Sequence, residues 1–113
     1  MRYVTALVTW ISHEDGGRKT IPPLGTQYYC TTMFDKNFEA SAWSVWFICT
    51  QLSAESSMIV NLGFCFDHAP HEKLTKGLHF YLYEGNRKVA IVDILETTYH
   101  GEVPLSYSDK HHP

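Results

Sequence analysis

The feature that most constrains this chain is a residue period of two, repeated in separate stretches. Trp43, Val45, Phe47 and Cys49 alternate with Ser44, Trp46, Ile48 and Thr50, and Met58, Val60, Leu62, Phe64 and Phe66 alternate with Ile59, Asn61, Gly63 and Cys65. Leu78, Phe80 and Leu82 alternate with His79, Tyr81 and Tyr83, ahead of a Glu84-Gly85-Asn86 turn and a β-branched run from Val89 to Leu95. Successive side chains of a strand point to opposite faces, so this pattern builds sheets with one face buried. An apolar stretch from Tyr3 to Ile11 and an aromatic one from Tyr28 to Phe34 add two more strands. The expectation is six strands near 3–11, 27–34, 41–50, 57–66, 77–83 and 88–95, with no long helix between them.

The connections are punctuated by turn residues: His13 to Gly17, Ile21-Pro22-Pro23-Leu24-Gly25, Asp35-Lys36-Asn37, Ser53 to Ser57 and Asp67 to Gly77. Strands this short, on a chain of 113 residues, favour a closed antiparallel barrel or a compact sandwich, which also hides the strand edges. A single domain over 1–96 is expected, with 97–113 a polar, partly disordered tail.

Three Trp, seven Tyr and six Phe supply the apolar area for a core without covalent staples. The three cysteines, Cys30, Cys49 and Cys65, are odd in number and lie in or beside apolar stretches, which points to free thiols and a reducing, cytoplasmic compartment. No apolar run is long enough for a membrane-spanning helix, and the first residues lack a secretory-signal pattern. Nine Lys and Arg against twelve Asp and Glu leave a net charge of −3 with no basic cluster. Phosphate-driven nucleic-acid binding needs concentrated positive charge, so that class is disfavoured.

Two turns carry a resemblance. Glu14-Asp15-Gly16-Gly17-Arg18-Lys19-Thr20, with Pro22 close behind, and Tyr83-Glu84-Gly85-Asn86-Arg87-Lys88-Val89, about seventy residues later, resemble the Gly-Gly-Arg turn and the closing Glu-Gly hairpin of the third domain of translation elongation factor Tu. The resemblance runs over roughly residues 3 to 95. It implies a small closed six-stranded antiparallel β-barrel with no nucleotide site, since GTP is handled by a separate domain of that factor. The sequence also has no Gly-x-x-x-x-Gly-Lys-Ser/Thr loop.

In the factor, this barrel touches the T-stem backbone of aminoacyl-tRNA and also meets protein. Lys19 takes the place of a family His that faces RNA, and Gly85 that of a Gly approaching phosphate. Thr26-Gln27-Tyr28-Tyr29-Cys30 replaces a Tyr-Arg-Pro-Gln-Phe segment and loses its Arg. The resemblance therefore implies recognition at a turn-bearing rim formed by Arg18, Lys19, Tyr28, Tyr29, Gly85 and Arg87. Arg and Tyr are residue types that anchor protein interfaces, and Trp43, Trp46, Tyr28 and Tyr29 promise more aromatic area than two strand faces bury. A non-enzymatic protein-binding module is the expected function. By analogy with small bacterial barrels, an immunity protein neutralising a toxin is one form of it, and a tRNA-binding accessory factor is the alternative.

Other chemistry has a simpler reading. Cys65-Phe66-Asp67-His68-Ala69-Pro70-His71 collects potential metal ligands but lacks the second paired element of a zinc site, so Asp67, His68 and His71 read as solvated loop residues and no metal or other cofactor is expected. Cys30 and Cys49 sit inside strands, where thiols are unreactive. Glu14 and Asp15 beside Arg18 and Lys19 read as a solvated mixed-charge turn. Arg18 and Arg87 either brace their own loops or present a fork to a partner.

Overall fold

A computed structural model describes residues 2–32 and 42–96 of the chain. Six strands are formed: β1 (Val4–Trp10), β2 (Gln27–Thr32), β3 (Trp43–Ala54), β4 (Ser57–Phe64), β5 (His79–Glu84) and β6 (Arg87–Ile94). They close into an antiparallel barrel in the order β1-β4-β3-β2-β5-β6, with β6 returning to β1. Among the described residues the remaining regular structure is two single 3₁₀ turns, His13–Asp15 and His71–Lys73. No helix among them is long and apolar enough to cross a membrane.

The period of two sets which residues point into the barrel. Val4, Ala6, Val8 and Trp10 from β1 meet Val45, Phe47 and Cys49 from β3 and Met58, Val60, Leu62 and Phe64 from β4, and Phe80, Leu82, Val92 and Ile94 complete the cluster. Fully burying a side chain of this size contributes roughly 1.5–3 kcal/mol, so the alternating positions carry most of the driving force for closure. Near the start of β6, beside the β5–β6 turn, the alternation breaks. Leu82 pairs with Ala90 and Tyr83 with Lys88, so Val89 is an extra residue and both Val89 and Ala90 are buried.

Several boundaries and environments differ from the sequence expectation. The 53–57 loop is shorter than expected, because β3 runs on to Ala54 through register shifts between Cys49 and Gln51 and between Leu52 and Ala54. A bulge costs one unpaired residue but lets the ladder continue, so only Glu55 and Ser56 are left for the turn. Phe66 lies beyond the end of β4 and is half exposed, because the strand gives way to the 65–78 loop after Phe64. Residues 33, 34 and 41 of the expected strands, the Asp35-Lys36-Asn37 turn and the 97–113 tail lie outside the described residues.

Trp46 is out of phase with the core positions of β3 yet is completely buried. It pairs with Gly63 across the ladder, and the Tyr3 ring meets it edge-on at 6.2 Å. The expected surplus of exposed aromatic area therefore shrinks. Tyr28 is buried against Trp10 and Phe47, Trp43 packs on Phe64, and of those four aromatic residues only Tyr29 is largely exposed.

Candidate functional site

One end of the barrel gathers the C-terminal end of β1, the start of β2, the β3–β4 turn and the β5–β6 turn. The chain leaves β1 through Ser12, whose hydroxyl caps the 3₁₀ turn by accepting from the Asp15 amide. Gly17 then comes so close to β1 that a Cβ on it would lie 1.9 Å from the Ile11 carbonyl oxygen, and its amide donates to the Ser12 carbonyl at 2.8 Å. Only glycine allows that approach, and it fixes where Arg18 begins. At the other turn Gly85 has φ 63° while Asn86, like every described non-glycine residue, has none that is positive, which suits a two-residue hairpin with glycine first.

These two turns place Arg18 and Glu84 together. The Arg18 Nη1 donates to Glu84 Oε2 at 2.5 Å and to the Tyr28 hydroxyl at 3.1 Å, while its Nε donates to the Thr20 carbonyl at 2.9 Å. Tyr28 in turn donates its hydroxyl proton to Glu84 Oε2. The guanidinium also lies over the Tyr28 ring, 5.1 Å from its centroid. One contact set thus ties the loop after β1, the second residue of β2 and the last residue of β5.

The charges respond to this arrangement. Burial opposes ionisation of Glu84, but hydrogen bonds from Tyr28 and Arg18 outweigh it and hold the carboxyl below its ordinary range. Burial likewise opposes the charge on Arg18, and its bonds to Tyr28 and Glu84 prevail, raising its pKa. Burial, reinforced by donation to Glu84, pushes the Tyr28 phenol up, so it stays a neutral donor. Burial and the Glu84 charge push the Cys30 thiol up as well.

Of the residues expected at the rim, Arg18 and Tyr28 are brought together and face each other and Glu84. Arg18 braces its own loops by these distances. Arg87 is half exposed and reaches Glu84 Oε1 only at 3.4 Å, a loose contact that leaves its guanidinium largely in solvent. Lys19 and Gly85 are exposed at the same end, and Tyr29 is 55% exposed on β2. Lys88 is held over the Tyr81 ring at 4.2 Å.

Sequence reasoning missed two further residues here. Leu24 is 57% exposed and Leu52 is 63% exposed. The Gly25 amide donates to the Cys49 carbonyl at 3.0 Å, so the loop carrying Leu24 joins β3 just before Leu52. Ile21, on the same loop, is also exposed. The available signal was the uncharged Thr50-Gln51-Leu52-Ser53-Ala54 run, which falls after the expected end of the strand at residue 50.

The opposite end holds the Cys65–His71 segment. Contrary to the expectation of a solvated loop, His71 is buried there, with Nε2 against the Phe66 and Asp67 carbonyls at 3.1 and 3.0 Å and its ring edge-on to Phe64. An imidazole satisfies two loop carbonyls, which lets the loop fold back over the barrel end. His68 remains exposed, beside Trp43 and Phe66. Among the described residues no group of three His, Cys, Asp or Glu is placed to hold a metal ion. No family model, curated protein or solved structure matches the chain.

Proposed function

We propose that this barrel is a non-enzymatic protein-binding module that meets its partner with the turn-bearing end. The observation that carries the reading is two exposed leucines, Leu24 and Leu52, on segments joined through the Gly25–Cys49 hydrogen bond, at the end of the barrel that also exposes Lys19 and Arg87. Apolar anchors ringed by polar and cationic groups are what protein interfaces use, because the centre loses water and the rim fixes orientation. Arg18 and Tyr28 tie the loop after β1 to β2 and β5 at this end. The resemblance to the third domain of elongation factor Tu adds a partner class: a protein connected with translation, including a toxin that the barrel covers as an immunity protein. Three unpaired cysteines suit a reducing, cytoplasmic setting for that role.

The tRNA-binding alternative draws on Lys19, Gly85 and Arg87 at the rim. Against it, Arg18 is neutralised by Glu84 and the net charge is −3, which leaves few cations for phosphate. Affinity capture from bacterial lysate, with and without nuclease, separates the readings. The expected result is a protein retained after nuclease treatment and lost when Leu24 and Leu52 are both replaced by Asp. Capture of RNA alone, with a steep salt dependence and no effect of the leucine changes, would defeat the protein-binding reading.

A further inference from the structure

We propose that two copies of this chain associate about a two-fold axis through the surface that carries Leu24 and Leu52. Strand β3 continues five residues past Cys49, to Ala54, and all five are exposed. Its ladder with β2 ends at Gln27↔Ile48, and the Gly25 amide then reaches the Cys49 carbonyl at 3.0 Å. The strand end with Leu52 thus follows directly on the point where the loop of Leu24 joins β3. Leu24 is itself held in place: the Thr26 amide donates to the Pro23 carbonyl at 3.1 Å, closing a turn around it, and Pro22 is buried. Side chains carried on a closed turn and a paired strand lose little freedom on contact, which favours them as anchors.

Charge selects the occupant. In a two-fold contact the same patch serves both copies, so a charge near the axis meets its own image and repels it. Residues 20–27 and 48–54 contain no Asp, Glu, Lys or Arg, and the charges that bound them at Lys19 and Glu55 are of opposite sign. A chain of net charge −3 meets its own copy with least repulsion there. The register shifts on either side of Gln51 and Leu52 turn the strand edge away from a regular ladder. The contact is therefore made by side chains, not by one sheet running through both copies. Two leucines from each copy form a small apolar contact, so the association is weak and depends on concentration. It takes its surface from the protein-binding reading and adds a second occupant, which another protein would displace.

Sedimentation equilibrium on the full chain, over about 1 to about 500 µM, tests this. The expected mass rises from 13.0 kDa toward twice that value. It rises as much or more in about 0.5 M salt, because the copies repel by net charge and meet through uncharged groups. Leu24→Asp combined with Leu52→Asp is expected to weaken association at least about thirtyfold, while Tyr81→Ser, which removes an exposed ring on β5, leaves it unchanged. The mass of one chain at every concentration would overturn the proposal. So would association that weakens with salt or survives the double change. Amide NMR shifts that move on dilution at residues 20–27 and 48–54, and not on β5 or β6, locate the contact without any variant, and movement on β5 and β6 alone would count against it. Capture of another protein from lysate is a separate measurement, so a monomer here leaves the protein-binding reading standing.

Discussion

Arg18 and Glu84 lie 66 positions apart in the chain and meet at 2.5 Å, each with 27% of its side chain exposed. Arg87 reaches the other oxygen of the same carboxylate, at 3.4 Å and with 54% exposed. The two arginines thus share an acceptor but differ in solvent screening and in the number of bonds made.

Removing the partly buried partner leaves the Tyr28 hydroxyl and the Thr20 carbonyl short of a donor. Arg18→Ala is expected to lower unfolding free energy by roughly 1–3 kcal/mol, the cost of stranding partly buried polar groups. Arg87→Ala is expected to cost under about 0.5 kcal/mol, as exposed ion pairs do. Urea midpoints of the two variants check the contrast, and equal midpoints would contradict it.

The pH dependence follows from the directions of the Glu84 and Tyr28 shifts. Glu84 in the folded state gives up its proton more readily than in the unfolded chain. Its stabilisation is complete above the ordinary Glu value of about 4.3 and is lost as pH falls through the lower folded value. Tyr28 holds its proton more tightly when folded, so its stabilisation is complete below about pH 10 and declines as pH rises further. Denaturation midpoints are expected to fall at both extremes, with a shallower acid limb in Glu84→Gln and a shallower alkaline limb in Tyr28→Phe.

Gly17→Ala is expected to destabilise the protein by roughly 1–3 kcal/mol, because the added Cβ overlaps the Ile11 carbonyl and the β1 exit must shift. Thermal melting detects it. A melting temperature equal to that of the unsubstituted chain would mean that the close approach is relieved without cost.

Thiol labelling is expected to be slow throughout and ordered. Burial raises the pKa of Cys30, Cys49 and Cys65, so little thiolate is present near neutrality. Cys65 is the least buried and is expected to react first, with Cys30 and Cys49 labelled only as the barrel opens. Mass spectrometry over a time course reads the order directly.

The strands were legible because alternation over four or five residues has one physical cause, a sheet with a buried face. Trp46 was not, since its burial depends on Gly63 and Tyr3, which lie on other segments and leave no periodic trace around it. Arg18 and Arg87 could each be read as brace or as presented fork. Choosing between them required Glu84, whose side chain looks like ordinary turn chemistry until the barrel closes. Leu52 was hidden for another reason: it falls after the expected end of its strand at residue 50, and the bulged extension of β3 to Ala54 is what puts it on a strand. The burial of His71 leaves no mark in the sequence because its partners are carbonyls, which every residue carries.

The first and last strands of the barrel are neighbours. Ala6 pairs with Ile94, and the Leu95 amide donates to the Thr5 carbonyl at 2.9 Å, so the start of the first strand and the end of the last lie side by side. A body with that geometry can be spliced into a surface loop of another protein without prising its host apart. The far end, with Leu24, Leu52 and Arg87, would then project away from the splice like the working face of a cassette.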